Sequence, residues 1–156
     1  LAVNENVEAA LFLINEVFSK CNFPCIIAGA QPVPEILHAV KNYSNISIHA
    51  NPDAQAMRQL MLDAQIHYLP ASQSTGIKLK LLNALFIGRH CMVNRNMING
   101  TGLASLTHEV NTANEALEQI GKLMPQPFTQ EIMEKRNQVL QPFSDAENVN
   151  KIIKYL

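Results

Sequence analysis

Apolar residues recur with two different periods in the first part of the chain, one typical of a helix and one of a strand. After Asn4, which stands where a helix cap is expected, they fall on one helical face. The members of that face are Val7, Leu11, Ile14, Val17 and Phe18. The next run, FPCIIAGA, is short and apolar and is bounded by Pro24 and Gly29. It predicts a strand that is buried on both faces and ends at Gly29.

The same alternation continues along the chain. Short apolar runs predict further strands at Ile46–His49, IHYLP, HCMVN and THEV. Helices are predicted for VPEILHAVKNY, with Pro34 in its first turn, and for NPDAQAMRQLMLDA, with Asn51 or Asp53 as its cap. A further helix is predicted in the segment that begins TGIKLK. The segment RNMINGTG predicts a loop, followed by a short turn or helix around Leu103–Leu106.

Three more helices are predicted towards the carboxyl terminus. Thr112 and Glu115 have capping-box spacing before EALEQIGKLM, TQEIMEKRNQVL is helical in pattern, and Ser144 and Glu147 repeat the capping-box spacing. Strands alternating with helices predict an α/β fold, a Rossmann-like, mostly parallel sheet with helices on both faces in three α/β/α layers. We interpret residues 1–156 as one domain, with its ligand at the carboxyl ends of the strands.

Composition and charge narrow the classes of function. The 156 residues are 47% hydrophobic and 16% charged, with 12 Lys and Arg against 13 Asp and Glu. We therefore expect neither a disordered chain nor a nucleic-acid partner. The three cysteines predict reduced thiols, because their odd number does not fit a disulfide framework. No apolar run approaches the roughly 20 residues of a membrane-spanning helix, and the prediction is a soluble, cytoplasmic protein.

The sequence carries no motif for a bound cofactor or metal. The five histidines are scattered, and no two share a helix at ligand spacing, so packed or edge-facing histidines are the favoured interpretation. The run IIAGAQP has a single glycine where a dinucleotide-binding motif needs three. We expect no metal and no cofactor.

The segment TGIKLKLLNALFIGRH has two interpretations. The backbone N–H groups near Gly76, Ile77 and Lys78 would begin a helix at the carboxyl edge of the sheet, where they and the helix dipole favour an anion. Alternatively, the segment is a scaffold helix whose apolar face packs in the core and whose end is marked by Gly88. The local pattern alone favours the scaffold helix.

The order of residues in this segment resembles a family motif. The pattern P…S-T-G-I-K-L-K-L-L-N-A-L-x-x-G-R is similar to P-x-x-x-G-x-G-I-K-x-K-x-L-E-A-L-A-x-G-x-P in the carboxy-terminal, nucleotide-sugar-binding domain of GT-B glycosyltransferases of the group 1 type. The runs VNENVEAALFLINEVF, IIAGAQP, NISIHANPDAQAMRQLMLDAQIHYLP and PFSDAENVNKIIKYL resemble, in order, that domain's first helix, second strand, third strand with its following helix, and closing helix. The resemblance covers nearly the whole chain.

The resemblance implies a donor site for a nucleotide-diphosphate sugar, which is a substrate rather than a cofactor. Amides near Gly76 and Ile77 would face the diphosphate, and Lys78 would offset its charge. Asn83 would meet the ribose hydroxyls, and Asn51 would lie near the base. The full set of donor-binding residues that it implies is Gly29, Asn51, Thr75, Gly76, Ile77, Lys78 and Asn83.

The activity implied by the resemblance is transfer of a hexose, such as mannose, to a saccharide or lipid-linked acceptor in polysaccharide biosynthesis. Such enzymes close their active site between two domains, so the partner implied is an amino-terminal domain that carries the acceptor site and the base. No catalytic residue is assigned on this chain. The isolated domain is expected to be inactive, and the full-length enzyme would work in the cytoplasm at the inner membrane surface.

The chain departs from the family pattern in two ways. Many retaining members carry glutamates at the positions of Thr75 and Asn83. The family domain also begins with a central strand before its first helix, and its absence implies a gap in the sheet, a rearranged strand, or a homo-oligomer in which another copy fills the place. The alternative function is a noncatalytic interaction or regulatory module that has lost the donor site. The missing glutamates favour that alternative, and the retained TGIKLK opposes it.

Overall fold

The predicted alternation of strands and helices is confirmed in the computed structural model, which describes residues 1–74 and 78–143. A π-helical turn at Leu13–Val17 continues the first helix, and 3-10 turns lie at Phe18–Lys20, Ala104–Leu106 and Gln141–Phe143. The helices and strands are α1 (Asn4–Phe12), β1 (Cys25–Gly29), α2 (Pro34–Val40), β2 (Ile46–Ala50), α3 (Ala54–Asp63), β3 (Ile66–Leu69), α4 (Leu79–Ile87), β4 (His90–Val93), α5 (Arg95–Ile98), β5 (His108–Glu109), α6 (Ala113–Leu123) and α7 (Gln130–Leu140).

The strands form two parallel sheets. In one sheet β1 pairs with β2, and Cys25 lies opposite Ile46. In the other, β4 lies between β3 and β5, and Ile66 lies opposite His90. No pairing joins β1 or β2 to the second sheet in the part of the chain that the structure describes. One free edge of each sheet therefore faces the space between them.

Helices lie on both sides of the strands in two layers, and their contacts indicate the order of the strands. The helix α1 and its π-helical turn contact α2 on one side and α6 on the other. On the opposite face, α4 contacts both α3 and α7. The helix α2 connects β1 to β2 and α6 follows β5, so the spatial order is β2-β1-gap-β3-β4-β5. The Rossmann-like, three-layer α/β/α class predicted from the sequence is thus confirmed.

Burial follows this order. All four residues of β4 are buried because the strand has neighbours on both edges and helices on both faces. In β1 only Ile27 is buried, and the side chain of Ile26 is 48% exposed. The exposed Ser47 and His49 lie on the same face as Ile26. The prediction that β1 is buried on both faces is therefore wrong, because this face of the β1-β2 sheet is not covered by the described helices.

Other predictions differ in detail. Asn4 is the first residue of α1 rather than its cap, and Val3 occupies the cap position without a side-chain bond. Asp53, not Asn51, caps α3, because its Oδ1 accepts a hydrogen bond from the backbone N–H of Ala56 at 2.7 Å. The segment RNMINGTG was predicted as a loop but contains α5.

The remaining helix predictions have different outcomes. The Thr112 hydroxyl accepts from the N–H of Glu115 at 3.2 Å, and the Glu115 carboxylate accepts from the N–H of Asn111 at 2.7 Å, as a capping box requires. The last predicted helix, which starts from Ser144 and Glu147, lies outside the described residues. Within residues 1–74 and 78–143, no helix is long and apolar enough to cross a membrane.

Candidate functional site

A crevice opens at the carboxyl edge of the second sheet, where the segments that follow β3, β4 and β5 meet α1. Its volume is about 250 Å³. We refer to it as the carboxyl-edge crevice. The lining side chains that matter for its chemistry are Glu8, Phe12, Tyr68, Ser72, Asn94 and Asn111. In α/β sheets the carboxyl ends of the strands are the usual place for a ligand.

Asn94, the residue directly after β4, holds one wall of the crevice in place. Its Oδ1 accepts from the N–H of Ala71 at 3.0 Å and from the N–H of Met97 at 3.1 Å. Its Nδ2 donates to the carbonyl of Ala71 at 2.7 Å. One side chain therefore caps α5 and also fixes the segment that follows β3.

Asn111, which follows β5, does the same for the neighbouring wall. Its Oδ1 accepts from the N–H of Arg95 at 2.9 Å, and its Nδ2 donates to the Glu109 carboxylate at 2.9 Å. The Arg95 guanidinium donates to the same carboxylate at 3.2 Å. These two bonds, from Asn111 first and Arg95 second, lower the pKa of the exposed Glu109. The amides of both asparagines are used to shape the crevice and are not left free for a ligand.

Apolar atoms provide most of the crevice wall, and none of the described lining residues is positively charged. Glu8 is the charged residue among its described lining residues. Burial raises the pKa of the Tyr68 phenol to about 12, with a further contribution from the nearby Glu115 carboxylate. Tyr68 therefore stays a neutral hydroxyl at physiological pH and can donate or accept a hydrogen bond. An uncharged polyhydroxyl group suits these walls better than a phosphate does.

Gly29 and Asn51, two of the predicted donor-binding residues, are brought together after β1 and β2. The N–H of Asn51 donates to the carbonyl of Gly29 at 3.0 Å, and the Asn51 Oδ1 accepts from the N–H of Gln31 at 2.8 Å. Both Gln31 and Asn51 have left-handed backbones, with φ of 48° and 52°. Non-glycine residues in this region are uncommon and are concentrated at functional loops, so the two loops are a candidate for ligand contact.

The space that the lack of a side chain creates at Gly29 is occupied by the chain itself. A Cβ atom placed on Gly29 would lie 2.9 Å from Cγ of Leu1. The amino group of Leu1 also donates to the carbonyl of Ala30. Gly29 therefore allows close approach of Leu1 in this structure.

The predicted residues on α4 lie on the same edge but are separate from the pair at Gly29. Lys78 is the cap residue of α4, and its Nζ donates to the carbonyl of Gln73 at 3.4 Å. Asn83 is exposed on the helix surface. Lys80, two residues after the cap, donates to the side chain of Asn6 at 3.0 Å and so joins the starts of α4 and α1. Thr75, Gly76 and Ile77 lie outside the described residues.

In the described parts of the chain the cysteines are buried or partly buried, as are His67, His90 and His108, whereas His38 and His49 are exposed. No disulfide links the cysteines, and burial raises the pKa of Cys25 to about 12, with a further contribution from Cys21. His90 is buried, and its Nε2 lies 3.2 Å from the carbonyl of Gln126. Within residues 1–74 and 78–143, no three His, Cys, Asp or Glu side chains form a group that could hold a metal ion.

Sequence reasoning missed the residues that line the crevice. They come from distant segments, so no local motif contains them. One signal was available, because Asn51 and Asn94 come directly after β2 and β4, and Asn111 comes two residues after β5. Asparagine is a frequent cap and turn residue, and at the ends of parallel strands it lies at the ligand-binding edge.

No protein-family model matches this sequence, and no curated protein matches it.

Proposed function

We propose that the carboxyl edge of this domain binds a nucleotide-diphosphate sugar, as the donor-binding part of a glycosyltransferase that transfers a hexose to a saccharide or lipid-linked acceptor. The observation that carries the proposal is the position of the carboxyl-edge crevice at the carboxyl ends of β3, β4 and β5. Doubly wound sheets bind nucleotides at this edge.

The chemistry of the two parts of this edge suits two parts of such a donor. The crevice offers the Tyr68 hydroxyl, the Glu8 carboxylate and Ser72, which can hydrogen-bond sugar hydroxyls. Lys78, at the start of α4, is the cation for the diphosphate, and Asn83 supplies an amide for the ribose. A lysine and preorganised N–H donors stabilise the charge that develops when a nucleoside diphosphate leaves.

The remaining parts of the reaction belong to a partner domain. The crevice carries one carboxylate and no described group placed as an acceptor base, so the chain alone is expected to bind the donor without turning it over. The acceptor site and base would come from the amino-terminal domain of the same enzyme. The proposed full-length enzyme is cytoplasmic and acts at the inner membrane surface.

A second candidate is a noncatalytic interaction or regulatory module with the same fold. The observations that favour it are the neutral side chain at Asn83 and the lack of a basic residue among the described residues that line the crevice. The space at Gly29 is also filled by Leu1. This candidate predicts a folded domain that does not bind nucleoside diphosphates.

The test is calorimetric titration of the purified chain with UDP, GDP and ADP, together with amide chemical shifts. Lys78→Ala is expected to weaken binding about tenfold, which corresponds to ~1.4 kcal/mol. Lys41→Ala is the matched control, because Lys41 is an exposed lysine at the end of α2 on the amino edge of the sheet. It should leave the affinity within about twofold.

Two results would count against donor binding. The absence of saturable binding by a folded chain, at millimolar concentrations of all three nucleotides, would favour the noncatalytic module. Equal weakening by Lys78→Ala and Lys41→Ala would mean that the nucleotides bind through general charge attraction, without a site at the start of α4. Chemical-shift changes at Asn51 and Asn83, with none at Lys41, are the expected pattern.

A further inference from the structure

The edge of β1 that faces away from β2 and the edge of β3 that faces away from β4 pair with no strand among the described residues. On β1, the N–H of Cys25 donates to the carbonyl of Asn45 at 2.8 Å, and the carbonyl of Gly29 accepts from Asn51 at 3.0 Å, so both residues point towards β2. Successive peptide groups of a strand point to opposite sides. The main-chain N–H and C=O groups of Ile26, Ala28 and Ala30 therefore point away from β2, into the gap.

The same alternation applies to β3. The carbonyl of Gln65 accepts from the N–H of His90 at 3.2 Å, so Gln65 points towards β4. The main-chain N–H and C=O groups of Ile66 and Tyr68 then point into the gap. Every residue of β3 is partly buried, whereas every residue of β4 is fully buried. The strand that should be central by position thus has the burial of an edge strand.

Leu1 already makes one main-chain hydrogen bond of the kind that a strand in the gap would make with β1. Ala30 points into the gap, and its carbonyl accepts from the amino group of Leu1. The side chain of Leu1 also packs against Gly29. From Leu1 the chain runs into α1, and the π-helical turn that continues α1 buries Ile14 against β1 and Val17 against β4. A strand that leads into Leu1 would therefore run parallel to β1 and extend this hydrogen bonding along it.

We propose that the gap between β1 and β3 is a docking site for one extended segment of about five residues, which leads directly into Leu1 and pairs in parallel with both strands. The length matches that of β1. The segment would lie under α1 on one face and beside α3 and α4 on the other, so its side chains should be apolar at nearly every position. This proposal does not depend on nucleotide binding.

None of the described strands of a second copy fits the same space. The occupant has to pair on both of its edges, with β1 on one side and β3 on the other. Each of the five described strands already has a neighbour on at least one edge. None of them could enter the gap of another copy without breaking its own sheet.

The proposal can be tested by amide hydrogen exchange without nucleotide. Three proteins are compared, namely the chain as it stands, the chain with a Val- and Ile-rich five-residue extension before Leu1, and the same extension with two prolines. Proline cannot donate to a ladder and so serves as the matched control. Exchange is followed by NMR at Ile26, Ala28, Ile66 and Tyr68, relative to Ile27, which already pairs with β2.

The extension is expected to slow exchange at these four amides about tenfold or more relative to Ile27, and the proline extension is expected to leave them fast. Light scattering should show monomers throughout. Three results would overturn the proposal: four amides that are already as slow as Ile27 in the unextended chain, equal slowing by both extensions, or slowing that appears only when the chain dimerises. None of these results bears on the proposed nucleotide site, which the calorimetric titration tests separately.

Discussion

Replacing Asn94 with alanine removes three hydrogen bonds in one step, two accepted from the N–H groups of Ala71 and Met97 and one donated to the Ala71 carbonyl. Loss of a helix cap costs about 1 kcal/mol. The N–H of Ala71 loses its partner, whereas its carbonyl still accepts from Asn96 Nδ2 at 3.3 Å, so the two lost bonds to Ala71 together contribute about 1–2 kcal/mol. We therefore expect the free energy of unfolding to fall by about 2–3 kcal/mol.

Urea unfolding followed by circular dichroism measures this change, and the thermal midpoint should fall by roughly 5–10 °C for a chain of this size. Asn94→Asp keeps the acceptor for both N–H groups but cannot donate to the Ala71 carbonyl. It should lose about 1 kcal/mol. Asn99→Ala is the matched control, because Asn99 is an exposed asparagine at the end of the same helix. It should change stability by less than about 0.5 kcal/mol.

Two outcomes would refute this account of Asn94. A loss below about 1 kcal/mol for Asn94→Ala, close to that of Asn99→Ala, would mean that the segment after β3 is held by other contacts. An aspartate variant as unstable as the alanine variant would mean that the accepted bonds contribute nothing. Either result would remove the argument that the wall of the carboxyl-edge crevice is built by this side chain.

Further predictions concern the opposite edge of the sheet. The buried Arg136 guanidinium donates to the Arg89 carbonyl at 2.9 Å and lies 4.6 Å from the ring centroid of Phe128, so Arg136→Ala should cost about 2–3 kcal/mol in urea unfolding. A Cβ atom on Gly88 would lie 2.1 Å from His67 Nε2, and Gly88→Ala should lower the thermal midpoint by more than about 5 °C. Burial lowers the pKa of His67 below 6.5, so the unfolded chain binds more protons as the pH falls through 6.5. Stability should therefore decrease from about pH 7.5 to 5.5, and His67→Gln should reduce that decrease in the urea midpoint.

The sequence allowed the order of the elements to be predicted because each element carries its own periodicity. The short apolar run CIIAG forms β1, and the segment LKLLNALFI, whose apolar residues have helical spacing, forms α4. Thr112 and Glu115 marked the start of α6 through a bond pattern that depends on neighbouring residues alone. Such local signals are sufficient for the fold class, since alternating strands and helices have few ways to pack.

The candidate site could be predicted only in part, because its residues are joined by tertiary contacts. Gly29 and Asn51 were predicted from the resemblance and lie together, but nothing local indicated that Leu1 fills the space at Gly29. The short helix α5 was missed because four residues carry too little periodicity to distinguish it from a loop. Its cap, Asn94, was visible in the sequence, but its second role at Ala71 was not.

The gap and the carboxyl-edge crevice have a wall in common, and this links the two proposals. The side chain of Tyr68 lines the crevice, while its main chain points into the gap. A strand docked there would end at Leu1, beside the loops of Gly29 and Asn51. If docking orders those loops, strand and nucleotide must strengthen each other's binding by the same factor, because coupling between two sites is reciprocal. A scaffold that only completes its sheet needs the strand but gains nothing from a nucleotide. Coupling between the two ligands therefore separates a donor-binding domain from a noncatalytic module more sharply than either affinity alone.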